Sequence, residues 1–226
     1  MGNSKEMAKP VIQQTTQIMS EMVHAAETLA TIGPAISVFG SARIPADSHY
    51  YAQSEEIGAL LAKAGFTTIA GGGPGIMEAA NKGAFEAGGT SIGLHIKLKT
   101  ESKANPYLSI NLPFQHFVSR KATFFMHSMA YIVLPGGFGT LDELFEALTL
   151  MQTGKVPVGP VILVGSSFWG GLHDWIVEQL QENKLINPLD PETFFIEDNP
   201  GRVVAHMQRF YQDHPGIMSL QNNAPV

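Results

Sequence analysis

The chain has 226 residues, 44% of them hydrophobic and 15% charged, which excludes intrinsic disorder. Its formal charge of -6, from 14 Lys plus Arg against 20 Asp plus Glu, argues against a nucleic-acid partner held by its backbone. With no cysteine there is no disulfide framework, thiolate chemistry or Cys-ligated metal. No apolar run approaches the length of a membrane span, and Glu6, Lys9 and Gln13 interrupt any signal-peptide core, so a cytoplasmic protein without a membrane partner is expected.

The spacing of Met7, Val11, Ile18, Met22 and Leu29 predicts a leading helix over about 5–30, stopped by Gly33-Pro34, within an N-terminal extension of residues 1–34. From Ala35, β-prone runs alternate with helical periods. Strands are expected at Ala35–Phe39, Phe66–Ala70, Thr90–Leu94, Leu108–Ile110, Tyr131–Leu134, Val161–Val164 and Thr193–Ile196. Helices are expected at Ser48–Lys63, Gly75–Ala87, Phe114–Ser128, Thr140–Gln152, Gly170–Glu182 and Pro200–Gln212. The strands are nearly all apolar instead of alternating, as in a sheet covered on both faces. This predicts an α/β, Rossmann-like, doubly wound and mostly parallel sheet of about seven strands over residues 35–212. Residues 97–107, rich in lysine, read either as a substrate-covering loop or as a solvated connection, and 213–226 as a flexible tail.

Three strand-to-helix turns draw attention. The sharpest is Pro135-Gly136-Gly137-Phe138-Gly139-Thr140, where an apolar strand runs through three glycines into a helix. Glycines let a backbone approach a ligand, and a helix start offers unsatisfied N–H donors, so with the Thr140 hydroxyl this is a candidate phosphate cradle. A competing reading is a capping box made by Thr140 and Glu143. The second turn, Gly71-Gly72-Gly73-Pro74-Gly75, leads into a helix bearing Glu78, and the third is Gly40-Ser41-Ala42-Arg43. Such turns in one small sheet are expected to flank a common crevice. There is no G-x-x-x-x-G-K-[ST], and no G-x-G-x-x-G with its acidic partner, which disfavours a P-loop enzyme and a dinucleotide redox enzyme.

The helix over Phe114–Ser128 places His116 and Arg120 four residues apart on one face, with Lys121 turned about 100° away. An arginine among phenylalanines wants a carboxylate partner, and Glu143 is the natural one. The pair is either a structural salt bridge or a catalytic couple for breaking an N-glycosidic bond. His95, Arg43, His116 and Lys121 are candidates to line the crevice. No His spacing suggests a metal, and no cofactor is expected.

The stretch Pro135-Gly136-Gly137-Phe138-Gly139-Thr140-Leu141-Asp142-Glu143, with Arg120-Lys121 and Gly72-Gly73-Pro74-Gly75, resembles the Lonely Guy family of cytokinin riboside 5'-monophosphate phosphoribohydrolases, formerly mislabelled lysine decarboxylases. The helix before Ala35 and Asn105-Pro106-Tyr107 resemble the family's longer bacterial branch. The resemblance implies a cofactor-free hydrolase that splits AMP or an N6-substituted AMP into base and ribose 5-phosphate. It implies that Arg120 and Glu143 are catalytic, that Gly136, Gly137, Gly139 and Thr140 hold the phosphate, and that Ser41, Gly73, Gly75 and Glu78 shape the nucleotide site. A homodimer or higher homo-oligomer is implied too. The alternatives from other classes are a non-catalytic nucleotide or phosphorylated-cofactor carrier and, with little electrostatic support, a DNA-associated module.

Overall fold

The computed structural model describes residues 4–98, 103–190 and 193–216. Seven strands, β1 (Ala35–Phe39), β2 (Thr67–Ala70), β3 (Ser91–Ile96), β4 (Ile110–Phe114), β5 (Ala130–Val133), β6 (Val161–Leu163) and β7 (Phe194–Ile196), make one sheet in the order β4-β3-β2-β1-β5-β6-β7. Every pairing is parallel. β1, β2, β5 and β6 are buried at every residue, the state their largely apolar, non-alternating sequences anticipate.

Successive side chains of a strand face opposite sides, and two cores result. On one face Ile92, Leu94, Tyr131 and Val133 pack with Leu29, Phe124, Leu144 and Trp169, contributed by α1 (Ser4–Leu29), α4 (Phe117–His127), α5 (Phe138–Gln152) and α6 (Ser166–Trp175). On the other, Ile36, Val38 and Ile132 pack with Ile57, Ile76 and Met207 of α2 (His49–Lys63), α3 (Ile76–Glu86) and α7 (Pro200–Asp213). The order reverses at β1, whose neighbours are β2 and β5, so the loops leaving β1 and β5 diverge and open a crevice beyond the strands' carboxyl ends.

Several boundaries differ from the sequence reading. β4 is Ile110–Phe114 in place of Leu108–Ile110, because Leu108 packs its side chain against Gly93 and the chain joins the ladder only afterwards. Pro113 is tolerated there because β4 is an edge strand. α6 starts at Ser166, not Gly170: the Asp198 carboxylate, remote in sequence, accepts the Gly165 and Ser166 amides at 2.8 Å each. A six-residue π-helical turn, Ile176–Gln181, continues it. In α1, Leu29 is buried and Ile18 and Met22 half-buried, but Val11 is exposed, so only the later turns join the body. The tail expected over 213–226 falls mostly outside the described residues, as do 99–102 of the loop expected over 97–107. Among the described residues no helix is long and apolar enough to cross a membrane.

Candidate active site

The crevice at the reversal point encloses about 640 Å³ and draws on all three glycine turns. Gly40, Ser41, Ala42 and Arg43 follow β1, Gly71 follows β2, and residues 137–141 follow β5. Backbone hydrogen bonds stitch these turns together. The Ser41 N–H donates to the Pro135 carbonyl and the Ser41 carbonyl accepts the Ile76 N–H, both at 3.0 Å. Gly75 takes φ +66°, and a Cβ there would lie 2.4 Å from the Ser41 carbonyl oxygen, so both the conformation and the close approach require glycine. The Ser41 hydroxyl accepts the Arg43 N–H at 3.0 Å, while the Arg43 side chain is exposed at the crevice edge.

The helix after the Pro135–Thr140 turn starts two residues earlier than expected. α5 opens at Phe138 with Gly137 as its N-cap and no side-chain cap, so Thr140 and Glu143 both lie inside the helix and form no capping box. What the glycines provide is space: a Cβ on Gly136 would fall 2.1 Å from the Thr140 Oγ1. Nothing lies within 4 Å of a Cβ built on Gly137 or Gly139, and both residues line the crevice at the helix start.

Arg120 and Glu143 meet on the crevice floor. The Arg120 Nη1 stands 3.4 Å from the Glu143 Oε1, with 8% and 13% of the two side chains exposed. Arg120 Nε donates to the Leu94 carbonyl at 2.7 Å, and the guanidinium lies over the Phe124 ring at 5.2 Å. Gly71 leaves room for the guanidinium, since a Cβ there would sit 2.5 Å from Arg120 Nη2 and displace it. Burial pushes the Glu143 carboxyl up to about 7, although the Arg120 cation pulls the other way. A carboxylate poised near neutrality beside a fixed cation suits proton handling or the stabilisation of positive charge.

The other expected residues are placed as follows. Lys121 turns to the outer face of α4 and α5, pairing with Asp142 at 3.0 Å and Glu146 at 2.7 Å. His116 is drawn to Glu21 of α1 at 3.2 Å. His95 backs onto the Gly72 turn, its Nε2 enclosed without a hydrogen-bond partner. None of these three lines the crevice. Glu78 accepts the Tyr51 hydroxyl at 3.1 Å, and the Gly73 carbonyl accepts the Asn105 amide at 3.1 Å, so both support the second turn from behind. Asn105 also donates to Asn81 Oδ1 at 3.0 Å in this buried network. The sequence reading missed the apolar lining: Met77, Ile96, Leu98, Phe117, Phe138 and Leu141. Their signal is positional, because Ile96 and Leu98 lie at and beyond the carboxyl end of β3 and Phe138 is 92% exposed.

A second cavity of about 370 Å³ lies at the far end of α5 between Met151, Ile176, Ile186 and Phe194, and none of the expected site residues lines it. Among the described residues no group of three or more His, Asp or Glu could hold a metal.

Comparisons with known proteins give the family and the fold. Residues 77–207 match the family model described as possible lysine decarboxylase. A cytokinin riboside 5'-monophosphate phosphoribohydrolase of Mycobacterium tuberculosis is 33% identical over 149 residues, covering 64% of this chain and 78% of that protein. One of Arabidopsis thaliana is 27% identical over 153 residues, covering 66% and 65%. The solved structure of the molybdenum cofactor carrier protein of Chlamydomonas reinhardtii superposes with a TM-score of 0.60 at 23% identity, covering 80% of this chain and 99% of that one, a likeness of fold.

Proposed function

The chain belongs to the family described as possible lysine decarboxylase, and it is related to the phosphoribohydrolases above; from that premise we propose that it hydrolyses the N-glycosidic bond of a purine nucleoside 5'-monophosphate. AMP or an N6-substituted AMP is the substrate, free base and ribose 5-phosphate the products, and the protein works as a cytoplasmic homo-oligomer. The observation that carries this reading is the Arg120–Glu143 couple on the floor of a crevice rimmed by backbone donors.

The 5'-phosphate sits against the amides of Gly137, Gly139 and Thr140 at the α5 N-terminus, where the helix dipole favours an anion. Binding there directs the ribose toward Glu143. As the bond from C1' to the base nitrogen breaks, its electron pair leaves with the base and positive charge develops on the sugar. The ionised Glu143 stabilises that charge and orients a water, whose oxygen joins C1' and whose proton ends on the departing base. Arg120 holds Glu143 in place and offers a cation to the base nitrogens as negative charge accumulates.

A lysine decarboxylase would need a lysine to form a Schiff base with pyridoxal phosphate. Among the described residues no lysine lines the crevice, and Lys121 and Lys82 are engaged by Asp142, Glu146 and Glu55, so the residues do not fit that cofactor. Incubating the protein with AMP and separating the products tests the proposal. Adenine and ribose 5-phosphate are expected from the wild type and not from Glu143→Ala. Tight binding of nucleoside monophosphates without turnover would instead make the protein a carrier.

A further inference from the structure

Arg120 occupies the first turn of α4, and that turn has no cap of its own. His116, at the N-cap, makes no side-chain capping bond, and the first turn contains no acidic residue. Helix ends without caps fray, and fraying here would move Arg120 directly. A side chain from outside the α/β unit ties that end of the helix down instead. Glu21 of α1 accepts the Gln115 N–H at 2.9 Å through Oε1, which also lies 3.2 Å from His116 Nδ1, while its Oε2 accepts the Ser119 hydroxyl. Ser119 is fully buried and adjoins Arg120, whose own N–H closes the turn on the His116 carbonyl at 3.2 Å. One carboxylate thus gathers Gln115, His116 and Ser119 around the helix start, where a negative charge is favoured. It is itself largely enclosed, with 14% of its side chain exposed, and the hydrogen bonds hold it ionised, its carboxyl below the ordinary carboxylate range despite burial.

We infer that Glu21 is a positioning residue for the Arg120–Glu143 couple, so that the N-terminal helix is a working part of the active site and not merely an appended element. The inference deepens the proposed hydrolysis and rests on that reading. Glu21 touches neither the crevice nor Glu143. It acts through Gln115, His116 and Ser119 on the backbone of Arg120, and through Arg120 on the carboxylate that faces the sugar.

The test compares Glu21→Ala, Glu21→Gln and, as a control on the exposed side of the same helix, Glu27→Ala. With AMP as substrate, Glu21→Ala is expected to lower kcat about tenfold or more while KM for AMP stays within about twofold, because a misplaced catalytic pair costs rate more than affinity. Glu21→Gln keeps an acceptor for Gln115 and should recover most of the loss, and Glu27→Ala should match the wild type. A turnover-independent readout is the Arg120 Nε–H signal in a nitrogen-15 spectrum, identified by its disappearance in Arg120→Lys. Its exchange with solvent should quicken in Glu21→Ala, as the bond to Leu94 loosens, and not in Glu21→Gln. Wild-type kcat in Glu21→Ala, no recovery in Glu21→Gln, or an unmoved Arg120 signal would overturn the inference. If the wild type releases no base from AMP, the hydrolase reading fails, and the Arg120 signal still decides the positioning role.

Discussion

Arg120 Nη1 and Glu143 Oε1 lie 3.4 Å apart, on the helices that precede and follow β5. The separation is longer than a tight charged hydrogen bond, and Arg120 spends its Nε on the Leu94 carbonyl, so Glu143 is attracted without being fully neutralised. Burial therefore wins over Coulomb attraction, and the carboxyl titrates near 7.

Stability should carry the mark of that balance. A carboxyl with a higher pKa folded than unfolded holds its proton more tightly in the native state, so the stabilisation is complete below the ordinary carboxyl range and is lost as pH rises through about 7. Glu143→Gln removes this loss. Denaturant unfolding at pH 8 should find the variant more stable than the wild type, by a difference on the order of 3 kcal/mol that vanishes near pH 4.

Activity should run the other way. If the ionised carboxylate faces the sugar, kcat/KM for AMP rises with pH along a limb centred near 7. Arg120→Ala removes the cation that lowers the Glu143 pKa, so the limb should move to higher pH as the rate falls. A limb fixed in position would dissociate the two residues.

Gly71→Ala would place a methyl 2.5 Å from Arg120 Nη2 and 2.3 Å from Met77 Sδ, the far ends of two flexible side chains. The fold can absorb this for about 1 kcal/mol, but Arg120 must shift, and hydrolysis should drop about tenfold or more. Steady-state kinetics set beside a thermal melt would separate the two effects.

Lys121→Ala is expected to be quiet. Its partners Asp142 and Glu146 are on the outer face, and pairs this accessible contribute about 0–1 kcal/mol. Turnover of AMP should stay within about twofold of the wild type; a larger loss would give Lys121 a part in the chemistry.

Asn105→Ala, by contrast, leaves the Gly73 carbonyl and Asn81 Oδ1 buried without this donor, a cost of about 1–3 kcal/mol. Urea unfolding measures it directly, with the midpoint shifting down.

The strands and the order of elements were legible because buried parallel strands are written as short apolar runs between turns, as at Ile36–Phe39 and Ile132–Leu134. The glycine turns were legible for a related reason, since backbone that must approach backbone excludes side chains, as Gly75 does against Ser41. Long-range side-chain contacts left no local trace. Nothing near Ser166 announces that Asp198 caps its helix, and nothing near Ser119 announces Glu21. The Thr140 and Glu143 spacing matches a capping box only if Thr140 is the N-cap, whereas the N-cap is Gly137 and the helix opens at Phe138. His95, His116 and Lys121 were singled out for their chemistry, but which way a side chain points depends on strand face and helix rotation, and those follow from packing.

The hydrogen bond from Ser41 to Pro135 joins two glycine-bearing loops through main chain alone. A rim assembled from peptide groups is largely indifferent to the side chains around it, so under the proposed function descendants of this scaffold would keep the phosphate end of their ligand while changing the rest. Retargeting the protein to another nucleobase should therefore begin with mutant libraries at Met77, Ile96, Leu98, Phe117 and Phe138, leaving the glycines untouched.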